Sequence, residues 1–574
     1  MDKKQVIKHL ETIAIYLELK GENAFKISAY RKAAQALERD DRSLSEIDDF
    51  GSLQGVGKGT KAVIEEFVES GETETLNELA KEVPEGLIPL LKLQGLGGKK
   101  LSRLYHELGV VDGATLREAC ESGQVEALSG FGKKSVEKIL KAIEDYGSQP
   151  ERLPISSVIP LYEAISAQLE TTDGVQRYAI AGSFRRLRED VKDLDYIIAT
   201  NEAGHVADQL VELANVKEIV SKGTTKVTVV ISGEWDISVD FRMVEPEAFI
   251  TTLHHFTGSK DHNVEMRRLA KQQGYKISEY GIEDSETGEV HTFETEEQFF
   301  EFLGVDYIPP ELRETGEEVE AEIPQLVSLP DIKGDLHMHT TWSDGAQSIE
   351  EMVNKARDYG YQFMAITDHS KYLQVANGLN ETRLRKQREA IAEVNEKYDD
   401  IQVLSGVEMD ILPNGDLDFD DEFLSEMDFV IASIHSHFNQ SEAEIMTRLE
   451  NAIKNPYVDM IAHPTGRLIG RREGYAFDYE RFIQLAVENN TIIELNANPN
   501  RLDLAWSWLQ VAQEQGATIA INTDAHNYRM LQDMKVGVQA ARKGWIKKDT
   551  VINTWDFEDL QHFLRKKKGE VSER

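Results

Sequence analysis

Seven short apolar runs within residues 331–574 end on imidazole or carboxylate side chains, and that recurrence restricts the available folds more than any other feature. The runs close on His337-Met338-His339, Thr367-Asp368-His369, Gly406-Val407-Glu408, Ile434-His435-Ser436-His437, Ala462-His463, Ile493-Glu494 and Thr523-Asp524-Ala525-His526. Stretches of helical period lie between them, for example Glu350 to Tyr359 and Ala443 to Lys454. Alternating strand and helix predicts parallel strands closing into a barrel, whose strand C-termini share one rim. Imidazoles and carboxylates converging there suit zinc, manganese or iron, nitrogen donors favouring transition metals over magnesium. Two or three ions held by about nine ligands can activate a water and stabilise the attacking and departing oxygens of a phosphate ester. Any one histidine is more simply a strand cap or a core hydrogen-bonding group. The set is not, because seven of the eight histidines beyond residue 330 sit at run ends and only His562 does not.

A chain of 574 residues has length for about three or four domains, and 40% hydrophobic content supplies ordinary cores. No run approaches the ~20 apolar residues of a membrane helix, and Met1 to Lys20 is a charged amphipathic pattern rather than a secretory signal. A soluble cytoplasmic protein is expected, most simply a monomer. Cys120 is the single cysteine, which excludes an intrachain disulfide and any cysteine-based zinc knuckle. The formal charge of −38 argues against general adhesion to nucleic acid. Residues 1–150, however, carry 21 Lys+Arg against 26 Asp+Glu, so only −5 of that total lies there.

Texture divides the chain. Residues 1–150 show helical periodicity, as in Val6, Leu10, Ile13 and Leu17, and read as a helical N-terminal domain (1–85) followed by a second helical region (86–150). From about Ile155 the pattern is mixed α/β, with strands expected at Tyr178 to Ala181, Leu194 to Ile198, Val227 to Ile231 and Ile237 to Val244, a unit spanning 151–310. Glu311 to Glu322 holds six acidic residues and one basic, so 311–330 reads as a solvated acidic linker before a barrel at 331–574.

Within the helical part, Gly-x-Gly occurs at Gly55 and Gly57, Gly95 and Gly97, and Gly130 and Gly132, each opening a helix-like run with lysines beside it. A single instance is usually a tight turn between helices. Three at spacings of 40 and 35 residues form a repeat. Glycine lets the backbone approach closely and present amides at a helix N-terminus, where a phosphate oxygen is favoured. The turns resemble helix-hairpin-helix motifs, with Lys58, Lys61, Lys99, Lys100, Lys133 and Lys134 as supporting cations. Such contacts hold DNA without reading its sequence.

A second constellation is Ala181-Gly182-Ser183-Phe184-Arg185-Arg186 followed by Asp193-Leu194-Asp195. Asp193 and Asp195 are two apart on an expected strand and face one side. Such a pair is costly without a cation between, although two carboxylates on a solvated edge strand would look the same. Gly182-Ser183 offers amides to a triphosphate, and Arg185 and Arg186 offer bidentate donors. A third carboxylate comes from Asp240 or Asp236, which share a facing. Three carboxylates can hold two magnesium ions about 4 Å apart for in-line phosphoryl transfer to a 3′-hydroxyl.

Together these motifs resemble the family X DNA polymerases, the group of DNA polymerase beta, in the bacterial form with a C-terminal PHP (polymerase and histidinol phosphatase) domain, across essentially the whole chain. The most specific segments are Gly-Ser-Phe-Arg-Arg with Asp-x-Asp downstream, His-Phe-Thr-Gly-Ser at 255–259, and the barrel histidines. The resemblance implies an all-α helix-hairpin-helix N-terminal region, an α/β nucleotidyltransferase palm with thumb, and a distorted (β/α)7 PHP barrel. It makes Asp193, Asp195 and Asp240 catalytic ligands of Mg2+ or Mn2+, which decides against Asp236. It gives Gly182, Ser183, Arg186 and Arg152 to the triphosphate, and His255, Phe256, Gly258 and Asn263 to the sugar and base. In the barrel it implies nine ligands for two or three Zn2+ or Mn2+ ions: His337, His339, Asp344, His369, Glu408, His435, His463, Asp524 and His526. His437 and Glu494 fall outside that set and read as groups that orient ligands. The implied activities are short-gap filling on gapped or nicked DNA with dNTPs, as in base excision repair, together with 3′-5′ exonuclease and abasic-site cleavage. Three departures stand out. Val63 occupies the position of the relatives' Schiff-base lysine, and that chemistry needs an amine. Val191-Lys192 replaces a small Ser-Gly pair, so one triphosphate contact differs. His255 replaces a tyrosine, which alters the wall facing the sugar, with Lys260 beside it toward template or base. The other reading is an RNA or small-molecule nucleotidyltransferase joined to a histidinol-phosphatase-like phosphoesterase, which would have no need of the three hairpins. The basic tail Arg565 to Lys568 reads as a solvated end.

Overall fold

The computed structural model describes residues 2–40, 42–93, 96–147 and 150–570. The helical region opens with Lys3–Lys20, capped by the Asp2 carboxylate on the Gln5 amide at 2.9 Å and ended by Gly21 at φ +82°. Its buried stripe is Val6, Leu10, Ile13 and Leu17, the 3.6-residue period. One apolar core gathers this stripe with Tyr30, Leu37, Ile64 and Leu79. A second gathers Leu87, Leu101, Leu116 and Ile139, and Leu19 of the first helix enters it, tying the two together.

The central sheet runs Arg177–Ile180, Asp193–Ala199, Asp236–Val244, Lys226–Ser232, Val216–Lys222. Four of these lie within a residue or so of the expected strands. The fifth, Val216–Lys222, was not expected because it is an edge strand without alternation, leaving Ile219 and Val220 exposed. Only Asp193–Ala199 and Asp236–Val244 pair in parallel, with Asp195 opposite Asp240. Leu194, Tyr196, Val239 and Phe241 turn toward the helices Ile155–Glu170 and Ala203–Leu210. The other face carries the aspartates.

Residues 311–322 are not a solvated linker. Glu311, Arg313, Glu318 and Val319 are buried. Its carboxylates are met from elsewhere in the fold: Lys543 donates to Glu314 at 2.8 Å, Arg268 to Glu320 at 2.7 Å, and His262 meets Glu318 at 2.9 Å, while Arg313 itself turns inward to Glu296 at 2.7 Å and the Ile308 carbonyl at 2.8 Å. Composition alone could not show these partners, since Lys543, Arg268 and His262 lie outside the segment.

Seven parallel strands follow in sequence order: Gly334–Asp335, Phe363–Ile366, Gln402–Asp410, Phe429–Ser433, Met460–Ile461, Ile492–Asn496 and Ile519–Asn522. A parallel bridge between Met338 and Ala525 brings first and last together, with the His339 amide on the Ala525 carbonyl at 2.8 Å. The helices Ile349–Asp358 and Glu442–Lys454 fall where helical periodicity placed them. At the opposite end the helix Phe557–Lys567 inserts Leu560 and Leu564 among Leu336, Phe363, Phe429 and Ile492. The basic tail is therefore not simply solvated: Lys567 Nζ donates to the Thr491 hydroxyl at 2.6 Å and Lys568 Nζ to the Met427 carbonyl at 3.3 Å. Barrel and central unit are docked, Ile155 and Leu187 joining the barrel's core and Arg467 gripping Glu189 with two nitrogens at 2.7 and 3.2 Å.

Candidate active sites

In the central unit, Asp193 and Asp195 project from one face of their strand and Asp240 from the adjacent strand at the same level. Burial and the neighbouring Asp193 and Asp240 carboxylates push Asp195 up to about 6, and burial with Asp240 raises Asp193. Three carboxylates crowded this way are a site short of positive charge. Lys226 Nζ stands 2.7 Å from Asp240, and the Thr228 hydroxyl donates to it at 2.6 Å. Asp236, four residues back, is engaged by Lys217 and Ser232 and lies away from the group.

The turn Gly182–Arg186 packs directly on this cluster. Gly182 has φ +66°, and a Cβ there would fall 2.5 Å from Asp195 Oδ2, so position 182 must be glycine on both counts. Ser183 is half-buried beside it. Arg186 Nη1 donates to the Thr257 carbonyl at 2.6 Å and its Nε to Glu314 at 3.2 Å. Arg185 instead turns into the core, paired with Glu296 and the Thr257 hydroxyl. Arg152 is exposed and held by Asp190 at 2.8 Å. Gly258, at φ +68°, lies against Arg186, a Cβ there being 3.2 Å from Nη1. Phe256 is covered by the Arg242 guanidinium at 3.9 Å. Asn263 donates to the His255 carbonyl at 2.8 Å while its buried Oδ1 has no hydrogen-bond partner among the described residues, and burial lowers the half-buried His255.

The barrel rim pools all nine expected ligands. Ligand atoms lie within 4.8 Å of one another in three overlapping groups: His339, Asp344, His369 and His526; His337, His339, Glu408 and Asp524; His369, Glu408 and His435. His463 joins through Glu408 Oε1 at 2.9 Å. Glu408 is the hub, with His337, His369 and His435 also at 3.2, 3.1 and 3.2 Å. Although burial opposes it, these imidazoles hold Glu408 well below the carboxylate range, and His337 does the same for Asp524. Conversely Asp524 and Glu408 lift His339 to about 10 against its burial, while burial beside His339 drops His369 to about 3.

These residues fit divalent cations. His337 Nε2, His339 Nδ1, His369 Nδ1, His463 Nδ1 and Glu408 Oε2 are buried and, although Glu408 Oε2 stands 3.2 and 3.1 Å from the first and third of these nitrogens, make no aligned hydrogen bond among the described residues, a state normally relieved by a ligand. Asp524 at φ +53° and His463 at φ +28° hold left-handed backbone that side chains seldom adopt, as strained functional positions do. Glu494 accepts from His337 Nδ1 and the His463 amide, each at 2.7 Å, which aims His337 Nε2 inward. His437 does not orient a ligand; it is exposed, and the one side-chain partner of its ring among the described residues is Ser436 at 3.1 Å. Asp410 was missed by the sequence reading, yet it holds His435 Nδ1. Its place two residues after Glu408 on one strand face was the available signal.

Among the hairpins, Gly57, Gly97 and Gly132 stand at the starts of Lys58–Ser70, Gly98–Leu108 and Lys133–Gly147. Gly55 and Gly130 take φ +112° and +92°. Lys58, Lys99 and Lys133 are exposed beside these turns, whereas Lys61 is tied to Asp49 and Glu65. Gly95 lies outside the described residues.

Comparison with known proteins agrees with this layout. A helix-hairpin-helix domain model matches residues 1–73, a DNA polymerase beta thumb model 252–314 and a PHP domain model 335–524. Over 204 residues the chain is 33% identical to a probable phosphatase of Caldanaerobacter subterraneus subsp. tengcongensis, covering 33% of this chain and 75% of that one. A probable phosphatase of Thermoanaerobacter sp. (strain X514) is 29% identical over 248 residues, 41% of this chain and 96% of the relative. The DNA polymerase/3′-5′ exonuclease PolX of Bacillus subtilis (strain 168) is 57% identical over 568 residues, covering 99% of this chain and 100% of the relative. With hairpins, paired aspartates and a ligand-rich barrel in one polypeptide that aligns end to end with such a relative, the chain belongs to the bacterial family X DNA polymerases that carry a C-terminal PHP domain.

Proposed function

We propose that this polymerase fills short gaps in damaged duplex DNA, as in base excision repair, and that its barrel supplies the 3′-5′ exonuclease and cleaves at abasic sites. One observation carries the reading: Asp195 lies opposite Asp240 on the sheet's parallel pair, with the Gly182–Arg186 turn against it. A primer end and a triphosphate would meet there. Asp193, Asp195 and Asp240 would hold Mg2+ or Mn2+, which when bound lower the pKa of a 3′-hydroxyl and neutralise the departing pyrophosphate. The Ser183 hydroxyl, the turn's amides, Arg186 and Arg152 bind phosphate oxygens, and Phe256, Gly258, Asn263 and His255 form the wall for sugar and base. Arg152 must exchange Asp190 for phosphate, since that carboxylate holds it now. In the barrel the nine ligands would hold two or three Zn2+ or Mn2+ ions, which when bound activate water and offset charge on the scissile phosphate. Asp410 and Glu494 keep His435 and His337 turned inward. The hairpin turns and Lys58, Lys99 and Lys133 hold the backbone of gapped or nicked DNA.

No helix among the described residues is long and apolar enough to cross a membrane; cytoplasmic location and a monomeric state belong to the proposal. The test is a 5′-labelled duplex with a one-nucleotide gap, incubated with and without dNTPs. Longer products with nucleotide and shorter ones without are expected. Asp193→Ala should lose only the former, and His337→Ala/His339→Ala only the latter. Extension by Asp193→Ala equal to the parent's would sink the polymerase assignment.

A further inference from the structure

The barrel contributes a buried lysine to the polymerase site. Lys543, the last residue of the barrel helix Met534–Lys543, is 6% exposed; its ammonium lies 5.6 Å from the Trp506 ring centre, and among the described residues every hydrogen-bond acceptor of its Nζ belongs to residues before the barrel. Its Nζ donates to the Arg186 carbonyl at 3.0 Å, to Glu314 Oε1 at 2.8 Å and to the Glu311 carbonyl at 3.4 Å. The same Glu314 oxygen accepts Arg186 Nε at 3.2 Å. Lys543 therefore grips the arginine at both ends, directly at its carbonyl and through Glu314 at its guanidinium. Glu314 is anchored in turn, its carbonyl taking the Ser259 hydroxyl next to Gly258.

A buried ammonium costs several kcal/mol to desolvate, so packing alone would favour a methionine here. What the charge adds is orientation. With Nε on Glu314 and Nη1 on the Thr257 carbonyl, the guanidinium is set in one plane beside Gly258, and Nη2 makes no hydrogen bond among the described residues. Without Lys543, Glu314 would lose the ammonium that fixes its carboxylate and the 186 carbonyl its anchor, so neither end of Arg186 would be held in that plane. Arg467 on Glu189 fixes the same turn three residues on.

We propose that Lys543 is a positioning residue for nucleotide binding, through which docking of the PHP barrel presets Arg186 for the triphosphate of an incoming dNTP. This rests on the reading that Arg186 contacts the triphosphate. The experiment is steady-state gap filling by the full-length chain with Mg2+, varying one dNTP, for Lys543→Met, Glu314→Gln, Arg186→Ala and the Lys543→Met/Arg186→Ala double variant. Lys543→Met should raise the KM for dNTP about tenfold while kcat changes by less than about twofold, and should add nothing in the Arg186→Ala background. Glu314→Gln should move KM in the same direction, and it carries the test if thermal melting shows Lys543→Met to be unfolded. An unchanged KM, a loss confined to kcat, or a full Lys543→Met effect on top of Arg186→Ala overturns the coupling while leaving the site intact. An unchanged KM in Arg186→Ala overturns the triphosphate assignment itself, and the coupling with it.

Discussion

Replacing Asp195 with asparagine should make the cation-free protein more stable while ending nucleotide addition. Asp195 is pushed from 3.8 to about 6 by burial and by the Asp193 and Asp240 carboxylates, so the fold prefers it protonated. That displacement corresponds to roughly 3 kcal/mol of strain at neutral pH, and about 2 kcal/mol once screening of a partly exposed group is allowed for. Linkage sets the sign: the folded carboxyl holds its proton more tightly than the unfolded one. The cost is therefore complete above about pH 6, fades as pH falls toward 3.8, and is about a third of its full value at pH 4.5. The gain is local, so the assay is hydrogen exchange by mass spectrometry on peptides spanning the strands Asp193–Ala199 and Asp236–Val244, in EDTA, at pH 7.5 and 4.5. The Asp195→Asn variant should show slower exchange there at pH 7.5, a gain that shrinks at 4.5 and narrows again when Mg2+ is added to the parent. Faster exchange in the variant, or a gain equal at both pH values, would refute an electrostatically strained cation site.

Gly182→Ala should cost about 1–2 kcal/mol from the left-handed backbone and abolish extension, because the new Cβ meets Asp195 at 2.5 Å; barrel exonuclease on single strands serves as the control for folding. Asp410→Asn should weaken barrel metal content and exonuclease rate by about 10–100-fold, since Asp410 orients His435, with gap filling retained; elemental analysis after dialysis reads the first and a labelled 3′ end the second. Lys58→Glu/Lys99→Glu/Lys133→Glu should lower affinity for gapped duplex and flatten the slope of log K against log salt by about 0.9 per lost phosphate contact, read by anisotropy titration from 50 to about 200 mM salt.

The barrel was the most readable part of the chain, because apolar runs ending on ligand residues reflect a geometric necessity: in a parallel barrel every strand delivers its C-terminal residues to one rim. The pair Asp193 and Asp195 was legible for a similar reason, strand periodicity placing both on one face. Choosing Asp240 over Asp236 was not legible from periodicity, since both obey the same period; the family likeness made the choice, and the cross-strand register with the Lys217 pairing supplies its physical reason. Residues 311–322 misled for a comparable reason: acidic composition describes a segment's own charge but not the lysine, arginine and histidine brought to it by folding, Lys543 to Glu314, Arg268 to Glu320 and His262 to Glu318.

Local order in the chain thus settles the features governed by short-range rules, namely strand and helix periods, glycine turns and the ligand types at strand ends. Contacts between residues tens to hundreds of positions apart belong to the folded state, among them Glu408 joining five imidazoles and Lys543 reaching Arg186 across 357 positions. No periodicity encodes such partners. They arise when burial of apolar faces brings distant segments together and each desolvated charge must find its complement.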